Sequence, residues 1–372
     1  MRLLRPIRLL FLTMLLALVI TCVWLWNHIS NMAAPIITPL NESYTNLSII
    51  PEKHLGIRMT PLVFNGWDGG EVTALIARKD DEESARQRTV NADLLNNRAD
   101  KLRHIDYALV CVDWDHGIRS ALPLAEYLTA AGITCILWEP RGSNNRRAHC
   151  THGLKESEDV PKLLDTITQM SGKERPVIIG VGQGYGAGLL LQAAALDDRL
   201  RGIVAIDAYA SLRESISRTM PKNLLSHVKL ALMDIKINGA VGFECFDVAP
   251  VESAANLNRN TPVLIINLTR DNPICTLKDA ITIYRQLPSD TKGIWTLHGP
   301  EDPPDATARL HTYTIGSKER ATTATIELRL MKNEEEVFTS IIHWLNDDFL
   351  NAIDKPHVST PDRPVLTTDQ QL

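Results

Sequence analysis

The sequence predicts an α/β fold, a mostly parallel and doubly wound sheet with a small helical cap insertion, preceded by one N-terminal transmembrane helix. Three observations carry the prediction. Short apolar runs alternate with segments of helical spacing from Tyr107 to Phe349. Strands apolar along their whole length belong to parallel sheets covered on both faces. Ahead of them, Leu62-Val63-Phe64 and Val72 to Ala77 flank Asp68-Gly69-Gly70, a hairpin signature that sets an antiparallel element at one edge.

The N-terminal element comes first. Leu9 to Trp26 is an apolar run of 18 residues without a charge. As a helix it spans about 27 Å, against a bilayer core of about 30 Å. Arg2, Arg5 and Arg8 precede it, and Trp24 and Trp26 sit where an interfacial aromatic belt belongs. The one-sided basic flank keeps the N-terminus in the cytoplasm and makes the remainder extracytoplasmic, in a periplasm, a lumen or outside. A cleaved signal peptide is the competing reading, with Met32-Ala33-Ala34 as a weak cleavage site. Val19-Ile20-Thr21-Cys22 is a poor lipoprotein box, because Thr precedes the Cys. The uncleaved anchor is adopted. Residues 1–8 are then a basic tip, 9–26 the anchor, 27–55 a polar tether, 56–350 the α/β domain and 351–372 an unstructured tail.

Within the domain, strands are expected at Tyr107 to Val112, Ile133 to Trp138, Pro176 to Gly180, Leu200 to Ile206, Pro262 to Leu268 and Gly293 to Leu297. Helices are expected at Ser120 to Ala131, Glu156 to Met170, Gly186 to Leu196, Leu277 to Leu287 and Glu334 to Phe349. Lys79 to Arg103 reads as a surface excursion. Ser211 to Ala249 interrupts the alternation with a basic and apolar helical stretch, read as a cap over the carboxyl edge of the sheet.

Composition removes several functions. The formal net charge is −5 and aromatic residues make up 5% of the chain, which argues against a nucleic-acid binder. None of the six cysteines falls in a C-x-x-C pair, so neither a zinc site nor a thioredoxin motif is indicated. No cofactor or metal is implied.

Six segments carry chemistry or packing signals. Val112-Asp113-Trp114-Asp115-His116-Gly117 follows a buried strand. Gly132 to Ser143 ends in Glu139-Pro140-Arg141-Gly142-Ser143. Cys150-Thr151-His152-Gly153-Leu154-Lys155-Glu156 is followed by Asp159. Ile178-Ile179-Gly180-Val181-Gly182-Gln183-Gly184-Tyr185-Gly186-Ala187 is a glycine run between a strand and a helix. Thr261 to Pro273 contains Asp271. Trp295-Thr296-Leu297-His298-Gly299-Pro300-Glu301-Asp302 closes the set. In this order the segments resemble the α/β-hydrolases, in the branch of serine-aminopeptidase-like and dienelactone-hydrolase-like proteins, from about Met59 to Phe349.

The resemblance implies roles. His116-Gly117 matches the loop that donates one oxyanion-hole N–H. The segment Cys150 to Asp159 matches C-T-x-G-x-x-E-x-x-D, which is structural. The glycine run matches G-x-S-x-G with Gly180 and Gly184 as the flanking glycines, so Gly182 takes the nucleophile position and Gln183 the adjoining oxyanion N–H. Asp271 takes the triad-acid position. Asp302 stands where the histidine belongs, and His298 is a possible displaced histidine. His311 lies further on. The same glycines also admit a dinucleotide-loop reading, with Asp207 near the distance of a ribose acid, although G-x-G-x-G is not G-x-G-x-x-G.

Two functional readings stay open. One is a pseudohydrolase, without nucleophile or histidine, that binds an unknown small molecule or protein through a helix N-terminus. The other is a working esterase or peptidase with a displaced nucleophile. A vestigial pocket in a structural envelope protein is a weaker third.

Overall fold

The computed structural model describes residues 4–38, 56–80, 104–113, 117–141, 149–268, 272–297, 299, 302–303, 306–315 and 322–353. Helix α1 runs Leu4–Ile37. The hairpin β1 (Ile57–Asn65) and β2 (Glu71–Lys79) follows, then β3 (Tyr107–Cys111), α2 (Ile118–Ala130) and β4 (Thr134–Trp138). A single 3-10 turn at Glu156–Glu158 leads into α3 (Asp159–Ser171), β5 (Ile178–Gln183), α4 (Tyr185–Leu196) and β6 (Leu200–Ile206). Between β6 and β7 lie α5 (Leu212–Arg218), α6 (Leu224–Val241) and α7 (Pro250–Ala255). The chain closes with β7 (Val263–Asn267), α8 (Leu277–Gln286), β8 (Lys292–Leu297), β9 (Ala308–Ile315), β10 (Thr322–Met331) and α9 (Glu334–Trp344).

These strands form one sheet in the order β1-β2-β4-β3-β5-β6-β7-β8-β10-β9. Pairing is parallel from β4 through β3, β5, β6, β7 and β8 to β10, and antiparallel at β1/β2, β2/β4 and β10/β9. Both faces of the centre are buried, which explains the solid apolar runs. In β7, Val263 and Ile265 pack on the α4 side, while Leu264 and Ile266 pack on the α2 and α9 side. The strand order is not that of a dinucleotide-binding sheet. The Asp207 carboxylate accepts from Leu268 N at 2.8 Å and Asn267 Nδ2 at 3.1 Å, so it is committed to tying β6 to β7.

Two expectations need correction here. The segment 27–37 is the last third of α1 rather than tether, and Ile29, Ala33 and Ile37 at helical spacing bury themselves in the core. Burial of that stripe stabilises helix where the polar His28 and Asn31 suggest linker. The hairpin β9/β10 was not expected: one face of β10 shows Thr325, Glu327 and Arg329 to solvent, and Ile326, Leu328 and Leu330 turn inward, so its signal is alternation rather than a solid run. The segments 39–55 and 81–103 lie outside the described residues, as does the tail from 354 onward.

Candidate functional site

The turn between β5 and α4 brings backbones into close approach. Gly184 has φ 55° and ψ −118°, a conformation that costs a side-chain-bearing residue about 1–3 kcal/mol. Its N–H donates to Ile206 O at 2.8 Å, which holds the turn against β6. Two glycines flank it symmetrically. A Cβ on Gly182 would lie 2.5 Å from Gly186 O, and one on Gly186 would lie 2.2 Å from Cys111 O. Strand and helix therefore pass backbone against backbone on both sides of Gly184. A Cβ on Gly180 would meet only side chains, with Ile203 Cδ1 nearest at 2.9 Å.

This geometry moves the frame by two residues. Gly182 is a paired strand residue, in register with Cys111 and Ala205. The residue that projects from the turn is Gly184, and the N–H that follows it belongs to Tyr185, not Gln183. Gln183 is still paired with Ile206 in β5 and lines a separate cavity of about 160 Å³ with Ser120 and Phe338. In either frame the central residue is a glycine, and no Ser, Cys or Asp lies between Gly180 and Gly186.

The space beside Gly184 is not empty. A Cβ there would fall 2.1 Å from Asp113 Oδ2 and 2.3 Å from its carboxyl carbon, and Tyr185 N donates to Asp113 Oδ1 at 3.0 Å. A carboxylate from the loop after β3 thus stands where a side chain on the turn residue would begin. It holds the first N–H of α4, where the helix dipole favours an anion. Sequence reasoning passed over Asp113, although it stands three residues before His116.

Above the turn opens a cavity of about 340 Å³. Asp113, Tyr185 and Tyr209 line it from the sheet side, Met220 and Met233 from the cap, and Met32 and Ile36 from α1. Burial pushes the hydroxyls of Tyr185 and Tyr209 well above the usual range, so both stay protonated donors. His152 lies on the same wall, 2% exposed and edge-on to both tyrosine rings. Burial lowers its pKa to about 4, opposed by the bond of Nε2 to Ile36 O at 2.9 Å. A carbonyl only accepts, so Nε2 carries the proton in the neutral ring. His152 therefore caps the C-terminus of α1 as a neutral donor.

Of the remaining expected residues, Gly117, Asp302 and His311 are described. Gly117 begins α2 with φ 71°. Asp302 accepts from Gly299 N at 2.7 Å and pairs with Arg309 at 3.0 Å. His311 lies on β9, paired with Ile326 of β10. His116, Asp271 and His298 lie outside the described residues. The segment 150–159 forms a network: Glu156 accepts from Thr151 N at 2.7 Å, Gly153 N at 2.9 Å and the Thr151 hydroxyl. Arg141 bridges Asp159 at 2.8 Å and Asp68 at 2.5 Å. Glu139 accepts from Ile118 N at 2.8 Å, which secures the start of α2.

No family model matches the chain. A stretch of 93 residues, 24% of this chain, is 30% identical to the acyltransferase drtE of Aspergillus calidoustus, and the match spans 30% of that protein's length. Among solved structures, the esterase Pf2001 of Pyrococcus furiosus aligns at a TM-score of 0.45 with 12% identity, over 66% of this chain and 83% of the other. An esterase domain from Rhodothermus marinus aligns at 0.44 with 10% identity, over 78% of this chain and 100% of the other. The acylaminoacyl peptidase of Pyrococcus horikoshii aligns at 0.43 with 14% identity, over 65% and 36%. The strand order with its antiparallel start, the strained glycine turn between β5 and α4 and the helices inserted after β6 give this chain the α/β-hydrolase fold.

Proposed function

We propose that this protein is a membrane-anchored, extracytoplasmic pseudohydrolase that holds a ligand in the cavity above Gly184. One observation carries the reading. The turn residue has no side chain, and the space beside it is filled by the Asp113 carboxylate on the Tyr185 N–H. Acyl transfer on this fold needs a nucleophile at the turn and a free N–H for the oxyanion. Losing the serine or histidine of a working triad costs about 10⁶ in rate. A negative charge on the N–H also opposes a second oxyanion there. What remains is an apolar chamber with a few polar groups, the form of a small-molecule site. Anchoring rests on α1, long and apolar enough to cross a membrane and largely exposed from Phe11 to Trp26 ahead of the part packed on the core, and on the arginines before it.

The test uses the full chain in mild detergent. It is treated with a fluorophosphonate probe, assayed for short-chain acyl-ester turnover, and any adduct is mapped by mass spectrometry. The expected result is no adduct and no turnover above buffer. A stoichiometric adduct on one residue, with turnover lost on replacing it, would overturn the proposal. A second reading is favoured by the position of Asp113 itself, as a carboxylate nucleophile reaching the place of the missing serine. That reading requires a substrate-derived mass on the peptide carrying Asp113, absent from Asp113→Asn.

A further inference from the structure

The cap helix α6 is apolar on two opposite sides. At about 100° per residue, Leu224, Val228 and Ile235 point within about 40° of one another, and Met233 and Ile237 point the other way. Met233 and Ile237 are buried beneath the cap, while Leu224 is 81%, Val228 45% and Ile235 64% exposed. The inner face satisfies the packing of the fold. The outer row is a second apolar stripe that water does not favour.

The placement of α6 identifies what covers that stripe. Lys236 Nζ lies 4.7 Å from the centre of the Trp26 ring, and Lys229 Nζ lies 3.4 Å from His28 Nε2. Both contacts put α6 against α1 around Trp26 and His28. They fall at the tryptophan end of the apolar span, where exposed Trp24 and Trp26 mark headgroup level. The charge of α6 suits anionic headgroups: Lys229 and Lys236 lie on it and Lys222 just before it, whereas its acid, Asp234, is taken up by Arg213 at 2.5 Å.

We propose that the outer face of α6, carrying Leu224, Val228 and Ile235, is a lipid-docking surface seated in the headgroup–acyl boundary of the bilayer that α1 enters. The inference rests on the anchoring reading above. Met32 of α1 and Met233 of α6 both line the large cavity, so docking sets that cavity wall against the membrane.

The experiment uses the full chain in vesicles of phosphatidylcholine with a minority of phosphatidylglycerol. Cys22 is exposed and is replaced by serine, while the other five cysteines are buried. Single variants Leu16→Cys, Leu196→Cys, Val228→Cys and Ile235→Cys carry an environment-sensitive fluorophore, quenched by nitroxide lipids or by aqueous iodide. Positions 228 and 235 are expected to lose most of their emission to a headgroup-proximal nitroxide and little to iodide. Position 196, exposed on α4, is expected to behave in the opposite way. Equal iodide access at 228, 235 and 196, with position 16 quenched by mid-chain nitroxide, would overturn the docking surface and leave the anchor standing. Failure of quenching at 16 would remove the anchor and the docking surface together. Shielding of 228 and 235 that grows with the protein-to-lipid ratio would assign the face to a second copy of the chain and overturn the proposal.

Discussion

Two tight regions beside β5 are built in opposite ways. The segment 150–159 is held by charge. Glu156 collects three donors, and the buried Asp159 carboxylate joins Arg141 and the Trp67 N–H at 2.9 Å. The turn at 182–186 is held by missing side chains, since its backbones approach too closely for any Cβ at Gly182 or Gly186. The first region shows polar groups kept because each is satisfied where it is buried. The second shows that this turn needs glycine on both sides for backbone packing, whereas the limit at Gly184 is its φ and the Asp113 side chain beside it. Backbone packing and side-chain chemistry therefore place separate demands on neighbouring residues of one turn.

Perturbing the glycines should give the largest effect. Gly182→Ala drives a Cβ into the backbone of α4 and is expected to cost more than about 3 kcal/mol. Gly184→Ala meets first the movable Asp113 carboxylate and bears backbone strain of about 1–3 kcal/mol. Chemical unfolding of both variants in mild detergent checks the frame, and a milder Gly182→Ala would reverse the assignment. On the charged side of the comparison, Asp159→Ala takes from the partly buried Arg141 one of its two carboxylates and from Trp67 N its acceptor, and should cost about 2 kcal/mol by the same measurement.

His152 couples pH to the docking of α1. Its folded pKa of about 4 lies below the unfolded value of 6.5, so the neutral form is the one stabilised by folding. That contribution is fully present above pH 6.5 and is lost as pH falls towards 4, at most about 3 kcal/mol across the window. Unfolding midpoints measured through this range should fall with acid, and His152→Phe should flatten the slope. A wild-type midpoint that stays level between the two values would show that the ring is not buried neutral.

A smaller change is expected at the turn itself. Asp113→Ala removes the acceptor from Tyr185 N and should cost about 1–2 kcal/mol, with recovery in Asp113→Asn, which retains an acceptor oxygen. Least disturbing is thiol titration of the native chain. Cys22 should react at once and the five buried thiols only on unfolding, since burial raises the pKa of each of the five.

Much of the fold was legible. Strands β3 to β8 are buried on both faces and appear as solid apolar runs, and α2, α3, α4 and α8 each begin and end within a few residues of their expected limits. The last hairpin was not, because β10 alternates Thr, Glu and Arg with its apolar residues near the sheet edge. The stripe Ile29, Ala33 and Ile37 was visible at helical spacing but was outweighed by its polar neighbours. At the site, the absence of Ser, Cys and Asp from the glycine run was legible, and which glycine makes the turn was not. Gly180, Gly182, Gly184 and Gly186 repeat every second residue, so a motif fits in more than one frame.

From the amino-acid sequence alone came the alternating α/β order, a helix of membrane length and a glycine turn without Ser, Cys or Asp. These follow from composition and local periodicity, which burial and backbone preference impress directly on neighbouring residues. Only the tertiary structure decided that Gly184 makes the turn, that Asp113 from 71 positions earlier fills the space beside it, and that α1 walls the cavity. Those facts depend on φ and on contacts between distant segments, and a local pattern carries neither.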